Sequence, residues 1–121
     1  MKTKIGLAWM TVLFWASGIV VLSSIRSPVD APLFYGADKW VHFVEYLCFG
    51  YLVHRAVGLS LAGASDGKVW CIALTGCWLF AVLDETHQLW LEYRSAEWAD
   101  FLADAAGSAA GTILRRRFKQ V

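Results

Sequence analysis

The sequence predicts an all-α integral membrane protein, a bundle of four transmembrane helices with both termini on the cytoplasmic side. Three observations carry that reading. Of 121 residues, 58% are hydrophobic and 15% aromatic, well above soluble usage. Four apolar stretches approach the ~20 residues that a bilayer core requires. The basic residues fall almost entirely on one side if those stretches alternate in direction.

The first stretch, 5–25, carries no charge. It is longer than the ~7–15-residue apolar core of a secretory signal, and no Ala-x-Ala site follows, so it is expected to be retained as a helix. The second stretch spans about 40–59 and the third about 69–91. The fourth, about 96–114, is rich in Ala and Gly and is interrupted by Asp100 and Asp104. The intervening segments carry Pro28 and Pro32, then Gly63 and Gly67, then Ser95, which are turn residues. One domain, 1–121, is expected. Trp40, Trp70, Trp90 and Trp98 lie near the ends of apolar stretches, where an amphipathic ring suits the headgroup zone. Cys48, Cys71 and Cys77 have no C-x-x-C spacing and read as small core residues.

Alternation places Lys2, Lys4, Arg55, Lys68, Arg115, Arg116, Arg117 and Lys119 on one side, against Arg26, Lys39 and Arg94 on the other. That bias makes the first side cytoplasmic, and the Arg-rich C-terminus reads as a topology anchor rather than a lipid-binding patch. A net charge of +1 offers no nucleic-acid signature.

Of the ten Asp and Glu residues, only Asp66 falls in the cytoplasmic loop. Asp38, His42 and Glu45 share a face of the second helix through i, i+4, i+7 spacing. Asp84 and Gln88 share a face of the third, flanked by Glu85 and His87. Asp100, Asp104, Gly107 and Gly111 form one stripe of the fourth. At ~1.5 Å per residue, Glu45, Asp84 and Asp104 sit at a similar depth, ~10 Å below the outer helix ends. A charge near the bilayer centre costs ~2.5–3.5 kcal/mol, so these groups are expected to line one polar, outward-facing pocket. Gly107-x-x-x-Gly111 allows close helix approach, expected within the bundle, with a homodimer seam as the sharper alternative.

Three segments carry a resemblance. DKWVHFVEY (Asp38 to Tyr46) resembles the D-K-x-x-H-F-x-x-[FY] signature of VanZ-like membrane proteins. DETHQLWLEYR (Asp84 to Arg94) resembles their D-E-x-x-Q followed by Arg. ADFLADAAGSAAG (Ala99 to Gly111) resembles their D-x-x-A-N-x-x-G-x-x-x-G, with Asp104 where that pattern has Asn. The resemblance implies an envelope-related role, in a family named for resistance to the glycopeptide teicoplanin, and importance for Asp38, His42, Glu85, Gln88, Arg94 and Asp100.

The expected site residues are therefore Asp38, His42, Glu45, Asp84, Glu85, Gln88, Arg94, Asp100 and Asp104. Recognition of a headgroup or glycan, from a membrane lipid or a lipid-linked envelope precursor, is the first reading, with rim aromatics Trp90, Tyr93 and Trp98. Arg94 could grip a phosphate, helped by Lys39. A metal- or carboxylate-dependent hydrolase or transferase is the second, without H-E-x-x-H, G-x-S-x-G or a nucleophile–base pair to support it. A purely structural polar network is the third. No resident cofactor is expected. A divalent cation is the open alternative, with His42, Glu45, Glu85 and Asp100 as ligands, but the additional Asp104 lacks an accompanying base and favours shared protons. The expected location is the inner membrane, multi-pass.

Overall fold

The computed structural model describes residues 1–25, 36–91 and 97–119. It contains four helices: α1 (Lys2–Ser24), α2 (Ala37–Ser60), α3 (Asp66–Gln88) and α4 (Trp98–Lys119), with no strand among the described residues. Two of them, α1 and α3, are long and apolar enough to cross a membrane.

The helix limits differ from the apolar windows read from sequence, reaching past them at some ends and stopping short at others. α2 starts at Ala37, behind Gly36 in the left-handed region at φ 81°, a conformation that a residue without Cβ adopts freely. α3 begins at Asp66 because Ser65 caps it, its hydroxyl accepting the Lys68 N–H at 3.3 Å. It ends at Gln88, short of Leu91. α4 continues through Arg115–Lys119, where basic side chains favour a helix C-terminus.

The closest pairing is α2 with α4. A Cβ added at Gly107 would strike the Phe43 carbonyl oxygen, and one at Gly111 would strike that of Leu47. In the reverse sense, a Cβ at Gly50 would strike the backbone of Ser108. The correspondence of 43 with 107 and 47 with 111 means the two helices run parallel, backbone against backbone.

α3 packs antiparallel against this pair. Its Trp78 indole lies 3.4 Å from the Ala105 carbonyl and its Trp70 indole donates to Thr112 Oγ1 at 3.1 Å. Tyr46 and Phe49 of α2 meet Phe80 of α3 at ring separations of 6.2 and 4.8 Å. α1 lies mainly on α2, burying Ala8, Val12 and Ile19. Its indoles tie it down: Trp15 donates to the Glu45 carbonyl and Trp9 to Ser60 Oγ, both at 2.9 Å. Trp70 is thus half-buried and paired between helices, whereas Trp40, Trp90 and Trp98 are exposed.

Candidate functional site

The ends of α1 and α3 meet the starts of α2 and α4, so four helices deliver polar side chains to one end of the bundle. Two groups form there, one at the surface and one buried.

Lys39 organises the outer group. Its ammonium donates to Asp38 at 2.6 Å, Glu97 at 2.7 Å and Asp100 at 2.5 Å. The Lys39 hydrogen bond holds the Asp38 carboxyl below the usual carboxylate range. Asp38 and Glu97 are exposed while Asp100 is buried, so this lysine joins the surface to the interior.

Asp100 leads inward. Its Oδ2 lies 3.8 Å from His42 Nε2, and the other ring nitrogen, Nδ1, lies 2.9 Å from Asp104 Oδ1. His42 therefore sits between two carboxylates one turn apart on α4, the geometry that an i, i+4 pair provides. Asp104 is fully buried. Ser23 Oγ of α1 lies 2.9 Å from Asp84 Oδ1, sharing its single proton with the Val20 carbonyl at 3.0 Å. Tyr46 reaches Asp84 Oδ2 at 3.4 Å. Asp84 is thus held by donors from α1 and α2.

Glu85 and Gln88 differ from these neighbours. Both are buried, yet both carboxylate oxygens of Glu85 and both amide atoms of Gln88 lack a hydrogen-bond partner among the described residues, as does Asp104 Oδ2. A buried polar group without a partner costs ~1–3 kcal/mol, and more if charged, so these atoms are where a bound group would gain most. Glu85 also lines a groove of about 490 Å³ between α3 and α4, with Val82, Thr86, Leu89, Glu97, Trp98 and Phe101. The groove joins an apolar wall to a buried acid.

Atoms of His42, Glu85 and Asp104 lie within 4.8 Å of one another, as do atoms of Asp38, Glu97 and Asp100. This regroups the ligand set read from sequence. Glu45 belongs to neither group: it lies half-exposed, and its carbonyl accepts from Trp15. Three residues beyond His42, it is rotated ~60° around α2, toward α1. Asp104 takes its place beside His42 and Glu85, while Asp100 joins the outer group. His87 is exposed. Arg94 and Tyr93 lie outside the described residues. Sequence reasoning passed over Ser23, Tyr46 as a partner of Asp84, and Glu97. Only Glu97 had a legible signal, its i, i+3 spacing from Asp100.

A family model described as VanZ/LLP1 matches residues 5–119, covering all four helices. No curated protein and no solved structure matches the chain.

Proposed function

The chain belongs to the VanZ/LLP1 family, and on that premise we propose that it is a multi-pass inner-membrane protein that recognises the polar headgroup of a cell-envelope lipid or lipid-linked precursor. Family membership supports an envelope-related role of the glycopeptide-resistance kind. The membrane reading draws on the apolar exterior: Phe14 is 80% exposed, and Leu13, Leu79 and Leu83 are also exposed. Side chains of that kind suit lipid rather than water. The polar end faces outward, by the cytoplasmic bias of the basic residues.

One observation carries the ligand assignment: buried Glu85, without a hydrogen-bond partner among the described residues, stands at the wall of the α3–α4 groove, with equally unpartnered Gln88 buried three residues further along α3. A molecule lying in the membrane plane can place a chain against Leu89, Trp98 and Phe101. Its hydroxyl, amine or cation-bearing headgroup then meets the buried acceptors.

Lipid binding tests the reading. Protein purified in mild detergent is mixed with a lipid-linked sugar precursor or with a plain phosphatidylglycerol, and bound lipid is read by native mass spectrometry. Selective retention of the precursor, lost in Gln88→Leu, is expected. Equal retention of both lipids, unchanged in Gln88→Leu, would remove the headgroup assignment.

A further inference from the structure

We propose that His42, Glu85 and Asp104 form a divalent-cation centre, with its remaining coordination positions turned toward the α3–α4 groove. Spacing alone favours shared protons among these acids. The tertiary arrangement changes the balance, because it brings one nitrogen and two carboxylates from three different helices within 4.8 Å. No single helix carries all three.

The separations suit an ion. Two neighbouring ligands around an octahedral cation with ~2.1 Å bonds lie ~3 Å apart. His42 Nδ1 and Asp104 Oδ1 lie 2.9 Å apart. Glu85 supplies the independent observation: it is 8% exposed, within that same cluster, and neither of its oxygens has a partner among the described residues. Asp104 contributes a further unpartnered oxygen. One hydrogen bond thus leaves three buried carboxylate oxygens without a partner among the described residues, and one cation bound between the two carboxyls would meet all three. Mixed imidazole and carboxylate donors fit Mn²⁺ or Zn²⁺ better than an all-oxygen ion such as Ca²⁺.

The outer acidic group provides a contrast within the molecule. Asp38, Glu97 and Asp100 also lie at ligand spacing, but the Lys39 ammonium already occupies their centre. A resident positive charge there leaves no call for an ion. Among the described residues, the inner group has only His42 as a basic partner, placed to one side against Asp100 and Asp104.

This centre deepens the headgroup reading but does not depend on it. A bound ion with open positions facing the groove would take anionic oxygen, so the favoured headgroup becomes a phosphate-bearing one. The ion can be tested without any lipid.

The experiment uses the full chain in detergent, stripped with chelator, then titrated with Mn²⁺ and separately with Zn²⁺. Mn²⁺ binding is read by electron paramagnetic resonance, Zn²⁺ by calorimetry, and thermal unfolding is followed for each. The proposal expects saturable binding of one ion per chain and a melting temperature that rises with ion concentration. Glu85→Gln should weaken binding at least ~10-fold while the chain remains helical and monodisperse, and Asp38→Asn should leave it unchanged. Two results would overturn the centre: failure of both ions to bind saturably, or binding equally well to Glu85→Gln. Loss of lipid selectivity with ion binding intact would remove the headgroup reading and leave the centre standing.

Discussion

His42 on α2 and Asp104 on α4 lie 2.9 Å apart, just above the stretch where these two parallel helices meet backbone to backbone. Their approach depends on the glycines one and two turns below. Gly107 lets the Phe43 backbone pass and Gly111 that of Leu47, so the contact between small residues sets the distance at which the imidazole meets the acid.

Gly107→Ala and Gly111→Ala should each destabilise the bundle by ~1–3 kcal/mol, because the added methyl meets main chain, which cannot rotate away. Gly76→Ala, whose methyl would meet nothing within 4 Å, should be neutral or stabilise by up to ~1 kcal/mol. Unfolding of the purified proteins in detergent and denaturant measures the difference. Equal tolerance at positions 76 and 111 would show that α2 and α4 do not pack as described.

Two near-isosteric changes separate binding from packing. His42→Gln and Asp100→Asn preserve side-chain size and most hydrogen-bonding capacity. Both should accumulate in the membrane and remain folded in detergent, while headgroup binding falls at least ~10-fold, or ~1.4 kcal/mol. If these variants instead disappear from the membrane with no soluble folded fraction, the cluster is chiefly a packing network.

Lys39→Met should cost ~1–2 kcal/mol, nearly all of it from leaving buried Asp100 without its ammonium partner. The exposed partners Asp38 and Glu97 contribute little. The double variant with Asp100→Asn should recover part of the loss in a thermodynamic cycle. Strict additivity of the two changes would place the lysine outside this pairing.

The Asp38 carboxyl provides a pH test. The Lys39 hydrogen bond lowers its folded pKa from the ordinary aspartate value of 3.8. Its contribution to stability is therefore present above that value and lost as pH falls through the lowered one. With Asp38 59% exposed, the effect should stay under ~1 kcal/mol and shrink with salt. Denaturation of wild type and Asp38→Asn should differ near neutral pH and converge as the pH falls through the lowered pKa. A gap that widens on acidification would contradict the pairing.

Topology can be tested by labelling in a background lacking Cys48, Cys71 and Cys77. Cysteine placed at Ser27 or Ser95 should react with an impermeant reagent added to intact cells, and cysteine at Ser65 should not. Labelling confined to Ser65 would invert the protein and turn the acidic end toward the cytoplasm.

Helical period alone determined much of this protein. Four apolar stretches announced four helices, and a stripe of Asp100, Asp104, Gly107 and Gly111 at i, i+4, i+7 and i+11 spacing had to share one azimuth, the face that the structure buries. The acidic residues were legible as a group at one end because alternation of the helices follows from their lengths and short connections. Rotation of one helix relative to its neighbour is a different quantity, set by which side chains and glycines interlock, and no spacing within a single helix reports it. That is why Glu85 rather than Glu45 stands beside His42, and why Asp84 finds its donors in Ser23 and Tyr46. It is also why Lys39 gathers Asp38, Glu97 and Asp100 from two helices. Hydropathy misplaced the helix ends for a related reason: it registers where side chains turn apolar, whereas a helix continues as long as its backbone hydrogen bonds and caps are satisfied, as at Ser65 and through Arg115–Lys119.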